Sequence, residues 1–376
     1  MLSRLHLFPG FFLFVLGLGL QVLVLRLLAE LGLGRRALRV AGVVSTALLV
    51  LGYLLEFHRV MRYFPVEWST WLECASILET NFLVCFYVAL LAWRKSSETR
   101  PERRMFLRTA AAGLAIAPMA AASFGILQRG RLQVTEVKIP IPKLPKDLDG
   151  LRMVQVTDIH LSPFLSEREF ARAVDMANET RAHIGLVTGD LISRTGDPLD
   201  ACLRQLSRLR AEAGIVGCLG NHEVYTKTED YVTEAGRQIG IEFLRGAAKQ
   251  LRFGSATLNF AGVDYQKYRS PYLIGAGRML APGAINILLS HNPDVFPVAA
   301  AQGYDLTIAG HTHGGQVDFE ILHQHIDVAR VYTPYVLGLY QEGGKSVYVS
   351  SGIGTIGVPI RIGAAPEISL IQLCAT

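Results

Sequence analysis

The sequence predicts two regions of different architecture: an all-α membrane region over residues 1–130 and a layered α/β domain over residues 131–376. The membrane prediction rests on four long apolar stretches in the first third of the chain. The α/β prediction rests on short apolar runs that alternate with segments of helical periodicity. A third observation indicates where the function lies, because five of these runs are each followed by Asp, Asn or His.

Each of the four apolar stretches approaches the roughly 20 residues that a helix needs to cross a bilayer. Aromatic side chains lie near their ends, which is typical of the membrane–water interface. We therefore expect about four transmembrane helices, with a lipid bilayer as partner. The stretches are Leu7–Leu25, Val40–Leu55, Trp71–Trp93 and Thr109–Leu127, and the aromatic residues are Tyr63, Trp68, Trp71 and Trp93.

Basic residues are unevenly distributed along the chain. Residues 1–130 hold 14 Lys and Arg against 7 Asp and Glu, whereas the remainder holds 23 against 25. Most of the basic residues lie between the first and second stretches and between the third and fourth. The positive-inside rule places both connections in the cytoplasm, which predicts a multi-pass inner-membrane protein with an extracytoplasmic catalytic domain. The net charge of −2 on that domain gives no support for a nucleic-acid partner.

A twin-arginine pattern precedes the last apolar stretch. Arg103-Arg104-Met105-Phe106-Leu107-Arg108 resembles a twin-arginine export signal, although any juxtamembrane loop can be rich in arginine. The signal would imply that the domain crosses the membrane in a folded state. Ala120-Ala121-Ala122 resembles a small-residue cleavage site, and the sequence leaves open whether the domain is released there.

The second region begins with an alternating strand over Leu132–Ile139 that Pro140 is expected to end. Ser166–Thr180 is predicted to be a helix, because Ser166 and Glu169 have the spacing of a capping box. The remaining predicted elements are helices over Asp197–Leu209 and Lys227–Ile239, strands near Ala248–Arg252 and Thr257–Gly262, and a closing strand over Glu367–Leu373.

Polar residues follow five of the apolar runs at the point where each predicted strand ends. In open α/β sheets, ligands bind at the carboxyl ends of the strands, so these side chains are expected to meet. The runs are Met153–Val156, Ile184–Val187, Ile215–Leu219, Ile285–Leu289 and Leu306–Ala309. The residues that follow them are Asp158 and His160, Asp190, Asn221 and His222, His291, and His311 and His313.

Carboxylate, amide and imidazole groups together suit two divalent ions of the Mn, Fe or Zn kind, with no need for cysteine. Two such ions lie about 3.5–4 Å apart in hydrolases of phosphate esters, and a carboxylate must bridge them. Asp190 is the natural bridge. Gly189, Gly220 and Gly310 directly precede a ligand or its neighbour, where the backbone must turn sharply and approach the ions. Singly, Asp190 is equally explained as a helix N-cap and Asn221 as a turn residue.

The order Asp-x-His, Gly-Asp, Gly-Asn-His-Glu, His and Gly-His-x-His over Asp158–His313 resembles the calcineurin-like metallophosphoesterases. All five blocks are present in family order. The resemblance implies a four-layer αββα sandwich of two sheets. It also implies that one ion is bound by Asp158, His160, Asp190 and His313, and the other by Asp190, Asn221, His291 and His311.

The same resemblance implies catalytic roles for Asp190, as the bridge, and for His222. His222 would contact the phosphate without binding an ion and would protonate the leaving oxygen. The glycine-rich segment Ser350–Arg361 resembles the membrane-anchored, envelope-facing branch of the family, with Arg361 at the rim as a candidate substrate contact. Arg269, in the aromatic and basic segment Asp264–Tyr272, is a second candidate, and an ordinary solvated loop explains that segment equally well.

These observations predict a membrane-anchored phosphoesterase that hydrolyses phosphodiester or pyrophosphate bonds of lipid or envelope substrates. The lipid assignment rests on the location of the domain alone. One alternative is a cytoplasm-facing pyrophosphatase of the UDP-diacylglucosamine type, which the distribution of arginine disfavours. Another is a catalytically silent membrane sensor, which the complete ligand set disfavours.

Overall fold

The structure, a computed structural model, describes residues 7–55, 65–97, 100–267, 270–321 and 324–376. The chain divides into two compact units. The first comprises Met1–Ile126 with Gly357–Pro359, and the second comprises Leu127–Ile356 with Ile360–Thr376.

The first unit contains four helices that are long and apolar enough to cross a membrane, in agreement with the four predicted stretches. α4 begins earlier than predicted and includes the twin-arginine pattern. Pro101 at its start suits a first helical position, where a missing N–H costs nothing. The helices are α1 (Leu7–Glu30), α2 (Arg35–Leu55), α3 (Val66–Ser96) and α4 (Pro101–Arg129).

Helices α1, α2 and α3 pack on one another through aliphatic side chains. Val24 from α1, Leu49 from α2 and Leu83 from α3 belong to one buried cluster. A polar contact joins α1 to α2, because the side-chain amide of Gln21 donates to the carbonyl oxygen of Gly42 at 2.7 Å. These contacts bury few side chains, so most of the apolar surface of the helices faces outward, as expected of helices in lipid.

The second unit is built on two six-stranded mixed sheets. The first has the strand order β1-β14-β2-β3-β4-β5 and the second β12-β13-β9-β8-β7-β6. A two-stranded ribbon of β10 and β11 accompanies them. The strands of the first sheet are β1 (Gln133–Ile141), β2 (Arg152–Val156), β3 (Ile184–Val187), β4 (Ile215–Gly217), β5 (Ile241–Phe243) and β14 (Glu367–Ala375). The others are β6 (Ala247–Phe253), β7 (Ala256–Gly262), β8 (Ile285–Leu289), β9 (Leu306–Ala309), β10 (Phe319–Ile321), β11 (Gln324–Ile326), β12 (Gly338–Glu342) and β13 (Lys345–Val349).

Three buried clusters define four layers. Side chains from both sheets, among them Met153 and Phe260, form the central core between the sheets. Phe170 belongs to the helical layer on the outer face of the first sheet. Leu288 and Ala299 pack together on the outer face of the second sheet. The predicted αββα arrangement is confirmed. Its helices are α5 (Glu167–Glu179), α6 (Leu199–Leu206), α7 (Asn221–Thr226), α8 (Glu229–Gln238) and α9 (Phe296–Gln302).

Two local predictions were wrong in their boundaries. Pro140 lies inside β1 rather than ending it, and proline is tolerated there because β1 is an edge strand paired only with β14. The helix predicted over Lys227–Ile239 is the shorter α8 (Glu229–Gln238), and it is preceded by α7, a helix that was not predicted and that ends where Lys227 adopts the left-handed conformation (φ 59°). The capping box of Ser166 and Glu169 at the start of α5 is present as predicted.

Candidate metal centre

The predicted ligands come from loops that follow five strands, three in the first sheet and two in the second. β2, β3 and β4 are neighbouring parallel strands, and so are β8 and β9. The structure brings the side chains together in three groups whose ligand atoms lie within 4.8 Å of one another. The groups are Asp158, His160 and His313; His160, Asp190 and His222; and Asp190, His291 and His311.

The first group shows imidazole nitrogens facing each other. The Nε2 atoms of His160 and His313 lie 3.1 Å apart. His313 Nε2 is 3.4 Å from Asp158 Oδ1, and His160 Nε2 is 3.5 Å from Asp190 Oδ2. Two ring nitrogens directed at one point between two carboxylates are the arrangement that a divalent cation stabilises. The donor set therefore fits the metal that the sequence predicts.

The third group, of Asp190, His291 and His311, is arranged in the same way around Asp190. His291 Nε2 lies 3.0 Å from Asp190 Oδ2 and 3.9 Å from Asp158 Oδ1. The other nitrogen of His291, Nδ1, is 2.7 Å from the carbonyl oxygen of Thr188 and donates to it, which leaves Nε2 to bind an ion. Asn221 Oδ1 is buried and has no hydrogen-bond partner among the described residues. A buried amide oxygen without a hydrogen-bond partner is available to bind a cation.

Left-handed backbone conformations are concentrated at the predicted ligands. Such conformations are uncommon outside glycine, and strain of this kind clusters at functional sites. Five of the seven predicted ligands have positive φ: Asp158 (49°), His160 (47°), Asp190 (55°), His311 (74°) and His313 (53°). The turns at the strand ends therefore direct these side chains inward. The strained backbone conformation costs free energy, and the packing around the turns offsets that cost.

Glycine is required at positions beside the predicted ligands because the backbone there lies very close to the ligand side chains. A Cβ atom at Gly220 would lie 2.1 Å from Asp190 Oδ1, and one at Gly310 would lie 2.2 Å from Asp158 Oδ2. Neither position has room for any side chain. The sequence analysis predicted a close approach of the backbone to the ions at these glycines, and the structure shows a close approach to the carboxylates of Asp190 and Asp158.

Burial and mutual repulsion set the charge of the ligands. Burial lowers the pKa of His160 to about 3, with a further contribution from His222, and burial beside His291 lowers that of His311 to about 3. Burial disfavours a charge on His291 too, but Asp190 and Asp158 outweigh it and raise the pKa to about 10. His160 and His311 are thus neutral imidazoles with lone pairs available to a cation.

His222 is oriented separately from the ligand rings. Its Nδ1 donates to the carbonyl oxygen of Ser193 at 2.6 Å, and its backbone N–H donates to Asp190 Oδ1 at 2.9 Å. The ring lies edge-on to that of His160, with centroids 4.7 Å apart. Nε2 is therefore the ring nitrogen left to meet a substrate.

Glu223 is a site residue whose role the sequence analysis did not recognise, although it is the last residue of the Gly-Asn-His-Glu block. Its fully buried carboxylate accepts three backbone N–H groups, from Asp190 at 2.9 Å, Leu191 at 2.7 Å and Gly220 at 2.7 Å. Glu223 therefore joins the turn that carries Asp190 to the turn that carries Asn221.

We expect Glu223→Gln to destabilise the domain by about 1–3 kcal/mol, because an amide NH₂ would face at least one of these N–H donors. Metal content should fall with it, since Asp190 loses its backbone support. Thermal unfolding and metal analysis of the full chain would measure both effects. Glu234→Gln, at an exposed ion pair with Arg237, is the matched control and should leave both unchanged. Equal stability of the two variants would contradict the role given to Glu223.

Arg361 is not at the rim, so its prediction as a substrate contact was wrong. Its side chain is fully buried (0% exposed). The guanidinium donates to the carbonyl oxygens of Ser351 at 2.8 Å, Gly352 at 3.2 Å and His313 at 3.3 Å. It also donates to Gly354 O, 3.2 Å from Nε. Arg361 thus fixes the glycine-rich loop against the backbone of a predicted ligand.

The other predicted substrate contact, Arg269, lies outside the described residues. In the same segment, the ring of Tyr265 lies 5.5 Å from that of His311. The ring of Tyr225 lies 5.5 Å from that of His222. Each of these two tyrosines therefore lies beside a histidine of the cluster.

An αββα sandwich with a buried cluster of His, Asp and Asn at its strand ends defines the class of metal-dependent phosphoesterases. Residues 151–315 match the family described as calcineurin-like phosphoesterase. This match and the curated relatives agree, and the chain belongs to the calcineurin-like phosphoesterase family.

Two relatives illustrate the similarity. The "Transmembrane protein with metallophosphoesterase domain" of Danio rerio is 31% identical over 299 residues, which cover 76% of this chain and 67% of the relative. The "Uncharacterized metallophosphoesterase YkuE" of Bacillus subtilis (strain 168) is 28% identical over 287 residues, covering 73% of this chain and 98% of the relative. The first name agrees with the apolar helices in supporting an association with the membrane.

Proposed function

We propose that the protein is a membrane-anchored phosphoesterase that uses two divalent ions to cleave phosphodiester or pyrophosphate bonds of lipid or envelope substrates. One observation carries the proposal. Six of the seven predicted ligands, together with His222, come from loops after five strands of two different sheets and form three overlapping groups. Such convergence from distant parts of the chain is difficult to explain by stability, since it buries charge and strained backbone together.

Asp158, His160, Asp190 and His313 would hold one ion, and Asp190, Asn221, His291 and His311 the other. When bound, Mn, Fe or Zn ions would polarise the phosphoryl oxygens and lower the pKa of water at the site. The chain itself contributes His222, whose Nδ1 is fixed on Ser193 and whose Nε2 is the proposed proton donor to the leaving oxygen. Tyr225 and Tyr265 flank the entrance and would orient the ester.

The preference for lipid or envelope substrates is supported by the four apolar helices, which keep the site close to a bilayer. The complete ligand set supports an enzyme rather than a silent sensor, because lost activity is generally accompanied by lost ligands. A soluble monoester phosphatase needs no anchor of this size. A diester or pyrophosphate of a membrane component is therefore the favoured substrate class.

The test uses the full chain, purified in detergent, stripped with a chelator and reloaded with Mn, Zn or Fe. We expect hydrolysis of bis-p-nitrophenyl phosphate to rise on the order of 10²-fold or more on reloading, since the ions supply most of the charge stabilisation. Comparison with p-nitrophenyl phosphate distinguishes diesterase from monoesterase activity. Cleavage of the monoester alone would reject the substrate class. Bound metal with no cleavage of either ester would favour the sensor.

We also propose that the catalytic domain faces the outside of the inner membrane, a topology that the basic connections around Arg35–Arg39 and Arg94–Arg108 support. Alkaline phosphatase fused after Gly130 should be active, because it folds outside the cytoplasm. Green fluorescent protein fused at the same position should not fluoresce if the chain is exported in an unfolded state. A fluorescent fusion lacking alkaline phosphatase activity would instead favour the cytoplasm-facing pyrophosphatase.

A further inference from the structure

The catalytic domain exposes a dense group of apolar side chains beside the metal centre, which we call the apolar patch. It consists of Ile326, Val328, Val331 and Tyr332, with exposed fractions of 57%, 71%, 78% and 63%. Four large apolar residues exposed to this degree within seven positions differ from the scattered exposure that is normal for a soluble surface. Such a patch marks a contact surface.

The patch is joined to the loop that carries the ligand His313. Asp327, in the middle of the patch segment, accepts the backbone N–H of Arg330 at 2.9 Å and pairs with its guanidinium at 2.8 Å. Gly315, two residues after His313, packs so closely on Asp327 that a Cβ atom would lie 2.7 Å from the Cβ of Asp327. A surface that binds the apolar patch would therefore lie close to the metal centre.

A bilayer is the occupant that the chain itself supplies. α4 ends at Arg129 and β1 begins at Gln133, so three residues connect the last apolar helix to the catalytic domain. Fully extended, they span only about 10 Å. If α4 spans a bilayer, a connection of this length would keep the start of the domain close to the membrane surface. A second copy of the chain, by contrast, would have to be recruited.

The composition of the patch matches the interfacial zone of a bilayer. Val328 and Val331 offer apolar side chains to the acyl region, and Tyr332 offers a ring with a polar end. Arg330 lies between them in the sequence, and its side chain is 38% exposed, which allows the guanidinium to remain at the level of the phosphates. Aliphatic residues with one arginine and one tyrosine are typical of segments that insert shallowly into lipid.

We propose that the apolar patch inserts into the membrane interface and that lipid phosphate esters reach the metal centre from this side. The insertion rests on the exposure and composition of the patch and on the short connection between α4 and β1. The delivery of a lipid ester rests on the proposed function, and the two parts are tested separately.

Insertion is measured by fluorescence in the full chain, reconstituted in phosphatidylcholine–phosphatidylglycerol vesicles. The three tryptophans of the chain, Trp68, Trp71 and Trp93, all lie in the helical region and are replaced by phenylalanine. Val331→Trp then reports on the patch, and Tyr231→Trp, at an exposed position of α8, is the control. We expect a blue-shifted emission at position 331 that lipids brominated near the headgroup quench at least threefold more than the control.

Emission at position 331 equal to that of the control would overturn the proposal. A blue shift without quenching would overturn it too, because it would show that protein, such as a second copy of the chain, covers the patch. Neither result depends on catalysis, so a failure of the proposed function leaves this test intact.

Delivery is measured with two esters that share the same scissile bond. Val331→Glu should lower hydrolysis of phosphatidyl-p-nitrophenol in phosphatidylcholine vesicles at least fivefold, while hydrolysis of soluble bis-p-nitrophenyl phosphate stays within twofold of wild type. Ile274→Glu, at an equally exposed position outside the patch, is the matched control and should affect neither ester. Equal rates of the Val331 variant and wild type on the vesicle ester would overturn delivery through the patch. A wild type inactive on both esters would refute the proposed function instead.

Discussion

Replacing Asp190 by Asn is expected to lower turnover by a factor on the order of 10³ or more, with little change in the fold. The side chain lies at the centre of the cluster, with Oδ2 3.0 Å from His291 Nε2 and 3.5 Å from His160 Nε2. Asparagine keeps an oxygen for the backbone N–H of His222 but removes the negative charge that both proposed ions would share. Metal content should therefore fall together with activity.

The measurement pairs metal analysis of Asp190→Asn with hydrolysis of bis-p-nitrophenyl phosphate and with thermal unfolding of the metal-free chain. Asp175→Asn is the matched control, since Asp175 forms an exposed ion pair with Arg208 and belongs to none of the three groups of the metal centre. The control should retain wild-type metal content and activity. Normal turnover in the Asp190 variant would refute a shared carboxylate and, with it, the two-ion proposal.

Arg361→Met is expected to reduce the free energy of unfolding by roughly 3–5 kcal/mol. The methionine fills much of the space but leaves the carbonyl oxygens of Ser351, Gly352 and Gly354 buried without their donor. Metal affinity should decline as well, because the same guanidinium holds the backbone of His313. A direct substrate contact would instead change the Michaelis constant and leave stability unaltered.

Denaturant unfolding of the full chain in detergent measures the effect, and Arg204→Met provides the comparison. Arg204 pairs with Glu167 at the surface with 63% of its side chain exposed, so its loss should cost less than about 1 kcal/mol. Arg361→Lys should recover part of the lost stability, since one ammonium replaces a few of the donors. Equal destabilisation by the two methionine variants would contradict the structural role of Arg361.

The positions of the ligands were predictable because strand ends are encoded locally. Apolar runs such as Ile184–Val187 are short and buried on both faces, and the first polar residues after them must lie at the edge of the sheet. A parallel sheet aligns such edges, so Asp158, Asp190 and Asn221 converge without any knowledge of the rest of the structure. The ligand geometry followed from this regularity.

Residues that act through the backbone were not predictable in the same way. Glu223 and Arg361 look like surface charges in the sequence, because their partners are N–H and carbonyl groups that every residue carries. Whether such a charged side chain is buried depends on the loop that covers it. The glycine-rich loop covers Arg361, and tight turns after the strands surround Glu223. The left-handed φ of His311 likewise depends on packing, and the residue type at this position does not predict it.

The strand order of the first sheet has a consequence for biosynthesis. β14, the last strand of the chain, lies between β1 and β2, the first two strands of the domain, and pairs with both. Until the residues of β14 have been synthesised, β1 has no neighbour in the sheet and the central core lacks Ile371 and Leu373. The first sheet is thus completed by a strand that is made after all of its other strands.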